Sequence, residues 1–203
     1  MDAGLKGDLH RTYRRRALAG ARGLVLEIGF GTGLNLECYP STLERLVGLD
    51  RVAVLEDRVR SRIEAAPFRV ERVTMDAAAR LPFPDDHFDT VTSTWTLCSI
   101  DPLQAALMEI IRVLGPGGEL LFLEHGRAET ERVAHLQDAL NPLQKVIGCG
   151  CNLNREIDLE IERAGFDLAG LERFTVPGVP QAWGSVYLGA ATPPAGMADE
   201  PGA

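Results

Sequence analysis

The run Glu27-Ile28-Gly29-Phe30-Gly31-Thr32-Gly33 carries the strongest chemical signal in the chain. Glycines at alternate positions, directly after an apolar stretch, let the backbone turn tightly and bring a ligand against the N-terminus of the next helix with no Cβ in the way. That is the local chemistry of a nucleotide-binding turn. A dinucleotide fingerprint counted from Gly29 needs a third glycine where the chain has Leu34, and no Gly-Lys-Ser or Gly-Lys-Thr follows for a phosphate loop. An NAD-dependent oxidoreductase is accordingly disfavoured. Two carboxylates extend the pattern: Asp50 stands where it can accept hydrogen bonds from both hydroxyls of a ribose, and Asp76 where it can accept from the exocyclic amine of adenine. The competing account is a glycine turn and solvent-facing acids in an α/β protein that binds nothing.

Elements must hold these groups at one edge. The continuous apolar run before the turn reads as a buried parallel strand over 24–28. The pattern then predicts a helix from Leu34, a strand over 45–50 closing on Asp50, a helix over 52–65 stopped by Pro67, and a strand over 68–74. Leu81-Pro82-Phe83-Pro84-Asp85-Asp86 is turn chemistry. A strand over 88–93 follows, then a helix over 102–114 ended by Gly115-Pro116-Gly117-Gly118, a strand over 119–124, a helix over 156–164, and strands over 167–174 and 185–190. Strands alternating with helices predict an α/β fold with a parallel sheet covered on both faces. Three strand ends then present the glycine turn and both carboxylates together.

Around this domain, taken as 23–191, residues 1–22 place Leu5, Leu9, Tyr13 and Leu18 on roughly one face of a lead-in helix, expected to act as a lid. Its basic cluster His10–Arg16 leaves a peripheral membrane contact open, although its apolar face is thin. Residues 126–155 form an insert beyond the carboxyl end of a strand, where such folds place substrate contacts. Its Val133, Leu136, Leu140, Leu143, Val146 and Ile147 either face a lipophilic pocket or form an amphipathic helix on the sheet edge. The tail over 192–203 has little to bury and is expected to be disordered.

Composition narrows the classes. A chain of 203 residues, 45% hydrophobic and 25% charged, fits one folded domain. A net charge of -8 opposes nucleic acid as a partner. No apolar stretch is long enough for a membrane span or a signal peptide, so a cytoplasmic location is expected. Four cysteines, Cys38, Cys98, Cys149 and Cys151, show neither a disulfide framework nor zinc spacing, and no metal is expected. Nothing in the sequence specifies an oligomeric state.

Residues 27–33, Asp50, Met75-Asp76-Ala77, Phe88-Asp89-Thr90-Val91 and Arg112-Val113-Leu114-Gly115-Pro116-Gly117-Gly118 together resemble the class I S-adenosylmethionine-dependent methyltransferases, over about residues 23–190. The resemblance implies a three-layer, doubly wound, Rossmann-like sheet, mostly parallel with an antiparallel C-terminal strand, and S-adenosyl-L-methionine as cofactor, leaving S-adenosyl-L-homocysteine. It implies that Glu27, Gly29, Gly31 and Gly33 lie along the methionine moiety, that Asp50 holds the ribose, and that Asp76 and Ala77 contact adenine. Phe30, Thr32, Asn35, Arg51, Thr94 and Trp95 complete the cofactor contacts it suggests. Leu97-Cys98-Ser99, Phe122-Leu123-Glu124-His125 and Gly150-Cys151-Asn152-Leu153-Asn154-Arg155-Glu156 resemble more closely a branch whose animal members methylate alkyl thiols. Two departures stand out: the membrane-anchoring N-terminal helix of those members is missing, which argues for a soluble enzyme, and their Trp-Gln-Asp appears here as Leu136-Gln137-Asp138.

Methyl transfer from a sulfonium is an in-line displacement, so the protein must mainly align nucleophile, methyl carbon and leaving sulfur in a dry pocket. For a thiol acceptor a base need only produce thiolate. His125 is the candidate, since its ordinary pKa lies near neutrality; a histidine hydrogen-bonded to backbone at a strand end accounts for it equally. Tyr13, Cys98, Cys151 and Asn152 are candidate walls of the acceptor pocket. The expected activity is methylation of a small, lipophilic acceptor, with a thiol as the leading candidate. A phospholipid amine, a quinone-precursor carbon and a non-catalytic cofactor-binding regulatory module are the alternatives.

Overall fold

The computed structural model describes residues 7–53 and 56–194. Leu5 and residues 195–203 lie outside the described residues; disorder was expected from residue 192, but Thr192 still pairs with Asp167 in the sheet.

Seven strands form one sheet: β1 (Leu24–Ile28), β2 (Arg45–Asp50), β3 (Arg69–Thr74), β4 (Phe88–Thr94), β5 (Leu114–His125), β6 (Asp167–Thr175) and β7 (Ser185–Thr192). Their order is β3-β2-β1-β4-β5-β7-β6, with β7 antiparallel to both its neighbours and every other pairing parallel. The expected Rossmann-like architecture with an antiparallel C-terminal strand is therefore present. Because the chain leaves β1 outward to β2 and β3, then returns to the other side of β1 as β4, a crevice opens beyond the carboxyl ends of β1 and β4. That crevice is where the glycine turn emerges.

Central strands are buried on both faces: four of the five residues of β1, apolar but for Glu27, and six of the seven of β4, whose polar members are mostly threonine and serine, are buried. Helix α1 spans Asp8–Leu18, α2 Glu56–Ala65, α3 Leu103–Val113, α4 Glu131–Ile147 and α5 Ile157–Arg163, and Gln181–Gly184 makes a short helical turn, α6. In α3 the buried residues are Leu103, Ala106, Leu107, Ile110, Ile111 and Val113, the spacing of one helical face. They pack with Phe88 and Phe122 of the sheet, both fully buried, each worth about 1.5–3 kcal/mol relative to exposure.

Two local expectations fail. No helix follows the glycine turn: residues 31–39 run as successive turns, with Gly33 N donating to Phe30 O, Leu36 N to Gly33 O and Cys38 N to Asn35 O. Only six residues run from Leu34 to Tyr39 before Pro40, too few for a stable helical nucleus, and the proline disfavours helical geometry at Tyr39. Strand β5 begins at Leu114 rather than at 119, because Leu114 pairs with Phe88 and the Gly-Pro-Gly-Gly segment is absorbed as a bulge before Glu119 pairs with Thr90. The insert contains α4, of which Val133, Ala134 and Gln137 are buried, while Leu136, Leu143, Val146 and Ile147 are exposed and Leu140 is half-buried.

Candidate functional site

A cavity of about 410 Å³ occupies the crevice at the ends of β1, β2 and β4. Its size suits a small organic ligand. Two backbone features shape it. Gly29 has φ +81° and lies so close to Thr96 that a Cβ would stand 1.9 Å from the threonine Oγ1. The turn after β1 and the turn after β4 thus touch, and only glycine permits it. Gly31, at φ +54°, donates its N–H to Asp50 Oδ2 at 2.7 Å, while Asp50 Oδ1 accepts from Val52 N at 3.0 Å. Asp50 therefore holds the glycine turn shut, and each oxygen still has a lone pair for a ligand hydroxyl.

Glu27 is the electrostatic centre. It is buried in β1, accepts from Asn35 Nδ2 at 2.9 Å and from Tyr39 Oη at 2.9 Å, and burial pushes its carboxyl up to about 8 against the restraining hydrogen bonds. Asn35 also donates to Thr94 Oγ1 at 3.0 Å, and Tyr39 shares a 2.6 Å hydrogen bond with Thr92. These ties are why the segment after the glycine turn keeps its irregular course: its side chains are spent on the strand tips rather than on a helix. Without a helix N-terminus to attract phosphate, and with the carboxyl groups of Glu27, Asp50, Asp76 and Asp101 outnumbering the guanidinium groups of Arg14 and Arg51, the cavity suits a cationic, hydroxyl-bearing ligand better than a polyphosphate. Asp76 Oδ1 accepts from Ala78 N at 2.9 Å, which orients the other oxygen's side of the carboxylate for a ligand.

The cavity brings together Glu27, Gly29, Phe30, Gly31, Thr32, Asn35, Asp50, Arg51, Asp76, Ala77, Thr94 and Trp95. Gly33 faces instead an adjoining cavity of about 550 Å³, between Arg11, Glu37 and Arg62, which lacks the strand tips. Tyr13 lies outside both, its ring 4.7 Å from that of Phe174. His125, Cys98, Cys151 and Asn152 also lie outside the cavity lining. They cluster at the Leu97–Ser99 turn, whose flanking residues Thr96, Ile100 and Asp101, together with Ser99, do line the cavity. There His125 Nδ1 lies 3.5 Å from Cys151 Sγ, and Asn152 Nδ2 donates to Cys98 O at 3.0 Å.

Two contributors escaped the sequence reading as site residues. Arg14, buried on α1, reaches the cavity, and its charge lowers the Glu27 pKa against the larger effect of burial. Nothing in the Arg14-Arg15-Arg16 run singles it out except helical spacing with the buried Ala17 and Leu18. Glu124 is fully buried; its carboxylate accepts from Thr96 N at 2.9 Å, Cys98 N at 3.3 Å and Ser93 Oγ at 2.7 Å, and so fixes the turn beside the cavity. Its signal was a charged residue inside an otherwise apolar strand. Among the described residues, no cluster of three or more His, Cys, Asp and Glu side chains could hold a metal ion, and no helix is long and apolar enough to cross a membrane.

Comparison with known proteins agrees with this geometry. Residues 26–122 match a family model described as a methyltransferase domain. The chain is 32% identical over 178 residues to the human thiol S-methyltransferase TMT1A, covering 86% of this chain and 72% of that protein. It is 35% identical over 148 residues to the ubiquinone/menaquinone biosynthesis C-methyltransferase UbiE of Pseudomonas putida, covering 66% and 56%. Among solved structures, the methyltransferase in complex with the Haloferax volcanii Trm112 methyltransferase activator superposes with a TM-score of 0.72 at 21% identity, over 95% of this chain and 93% of that one.

Proposed function

Because the chain belongs to the class I S-adenosylmethionine-dependent methyltransferases, we propose that it methylates a small lipophilic acceptor, with a thiol as the leading case. S-adenosyl-L-methionine is its cofactor and supplies an electrophilic methyl group on a cationic sulfur. The residues present suit that group: an acidic cavity of about 410 Å³ with glycines where a Cβ would intrude. In this reading Glu27 and Arg14 face the amino acid end, the carboxylate of Glu27 taking the ammonium and the guanidinium of Arg14 the carboxylate. Asp50 accepts from the ribose hydroxyls, and Asp76 with Ala77 holds the adenine edge. Trp95, Ile100 and Cys149 shape the side where the acceptor enters, and their task is alignment and exclusion of water.

A thiol needs only to lose its proton before attack. His125 is the proposed base; it lies behind the cavity wall, its Nδ1 3.5 Å from Cys151 Sγ. The observation that carries the thiol reading is the similarity to a thiol S-methyltransferase across 86% of this chain, a span that includes the insert bearing Cys151 and Asn152. The similarity to a quinone-pathway C-methyltransferase favours a carbon acceptor as the second reading. A small molecule rather than a nucleic acid fits the net charge of -8, and the four free thiols fit a reducing cytoplasm. The test is incubation with methyl-labelled cofactor and a panel of alkyl thiols, quinone precursors and phospholipid amines. Label in a thioether supports the leading reading; label only in a carbon product supports the second; binding without any transfer would indicate a regulatory module.

A further inference from the structure

Cys151 occupies an unusual position among the four cysteines. Its Sγ lies 3.7 Å from Cys98 Sγ and 3.5 Å from His125 Nδ1, whereas Cys149 is exposed and Cys38 meets only backbone oxygens. The pair is held together by backbone, not by side-chain accident. Asn152 donates both its backbone N–H and its Nδ2 to Cys98 O, each at 3.0 Å. Arg155 from the same segment donates to Leu97 O at 2.7 Å and Ile100 O at 2.6 Å, and Glu124 accepts from Cys98 N. The two sulfurs therefore cannot drift apart without breaking the seam between the insert and the turn. Closing from 3.7 Å to the roughly 2.05 Å of a disulfide shortens the sulfur separation by about 1.7 Å.

The two thiols are also chemically unequal. Cys98 is fully buried; its hydrogen bond to Cys151, with burial, holds its pKa well above the ordinary thiol value. Cys151 is half-buried, and its contacts with Cys98 Sγ and then His125 Nδ1 hold its pKa well below that value, against burial. The imidazole is buried, and among the described residues His125 Nε2 has no hydrogen-bond partner. A partly accessible thiolate beside a protonated thiol is the arrangement of an attacking and a resolving cysteine.

We propose that Cys151 and Cys98 form a hydroperoxide-reactive pair that closes to a disulfide joining the insert to the Leu97–Ser99 turn. In the first step the Cys151 thiolate attacks a peroxide oxygen; an S–O bond forms, the O–O bond breaks, and the leaving oxygen takes a proton to become an alcohol or water. In the second step the Cys98 sulfur attacks the Cys151 sulfenic acid; an S–S bond forms, the S–O bond breaks, and hydroxide leaves with the Cys98 proton as water. The peroxide is reduced by two electrons and each sulfur is oxidised by one. Because Thr96 and Ser99 on one side and Cys149 on the other line the cavity, the crosslink ties two of its walls. That consequence for methyl transfer rests on the function proposed above, but the disulfide itself does not.

The test is titration of the full chain with hydrogen peroxide, followed by peptide mapping without reduction. The expected result is a Cys98–Cys151 crosslinked peptide that has lost two hydrogens and is restored by dithiothreitol, with slower hydrogen exchange of the amides over 148–152. In Cys98→Ser, Cys151 should accumulate as a sulfenic acid trapped by dimedone; in Cys151→Ser, no trapped adduct should appear at Cys98 on the same time scale. Oxidation of Cys149 or Cys38 while Cys98 and Cys151 remain alkylatable thiols overturns the proposal, and so does over-oxidation of Cys151 with no crosslink. Since the wild-type crosslink is read directly, misfolding of either variant leaves the test intact. S-adenosyl-L-homocysteine calorimetry on the reduced protein is run alongside: absence of binding there counts against the proposed function and leaves the crosslink result standing.

Discussion

Replacement of Glu27 by glutamine isolates the buried charge at the centre of the site. With a carboxyl at about 8, some nine-tenths of the free protein carries a proton on Glu27 at pH 7, from the ordinary titration relation. An ammonium placed against this group favours the carboxylate, so ligand binding must expel that proton. Wild-type affinity for S-adenosyl-L-homocysteine is therefore expected to tighten by about 50-fold from pH 6 to pH 8, most steeply below pH 7, and binding at pH 7 to release about nine-tenths of a proton. The release is read by calorimetry in two buffers of different ionisation enthalpy. The ligand's own α-amino group, ordinarily near 7.7–8.0, titrates in the same range, so Glu27→Gln is the reference. The variant should lose the steep rise and bind about 10- to 100-fold more weakly at pH 8, the worth of a hydrogen bond to a charged group. Stability supplies an independent sign. A folded-state carboxyl raised from 4.5 to about 8 makes a contribution that is full below pH 4.5 and lost as pH rises through 8, roughly 5 kcal/mol across that span at about 1.4 kcal/mol per pH unit. Glu27→Gln should flatten that decline. Equal wild-type affinities at pH 6 and 8, or a variant that matches wild type at pH 8, would refute the assignment.

Four further outcomes are expected. Asp50→Ala removes the acceptor for Gly31 N and Val52 N and the proposed ribose partner, so calorimetry should show S-adenosyl-L-homocysteine binding weakened by about 10- to 100-fold; unchanged affinity would contradict the ribose role. Gly29→Ala drives a Cβ into Thr96 at a positive φ and should cost about 1–3 kcal/mol in denaturant unfolding together with cofactor binding. His125→Ala, if His125 is the base, lowers thiol turnover most below the acceptor's own pKa and shifts the pH–rate profile upward; an unshifted profile with full turnover removes it from the chemistry. Arg112 ties Glu109, Asp85 and the carbonyls of Leu81 and Phe83 together at 15% side-chain exposure, so Arg112→Ala should lower stability by about 2–4 kcal/mol with little direct effect at the cavity.

Sequence periodicity determined the sheet and the cofactor edge. Residues 24–28, apolar but for Glu27, read as a doubly covered strand, residues 88–93 are rich in β-branched side chains around Val91, and the helical stripe from Leu103 to Ile111 has one face to bury. Gly29, Gly31, Asp50 and Asp76 were legible because a turn at positive φ and a carboxylate at a strand tip are local requirements, written within a few adjacent residues. The turns over 31–39 were not, because Asn35 and Tyr39 are committed to Glu27, Thr94 and Thr92, partners 8 to 59 residues away, and that tertiary pull outweighs helix propensity in a six-residue stretch. For the same reason only the tertiary structure separates Arg14 from Arg15 and Arg16, and brings Cys151 to Cys98 across 53 residues. Spacing along the chain fixes which residues share a strand or a helical face; which buried polar groups find each other depends on how those faces stack, and that is where the charge on Glu27 and the pairing of the thiols are decided.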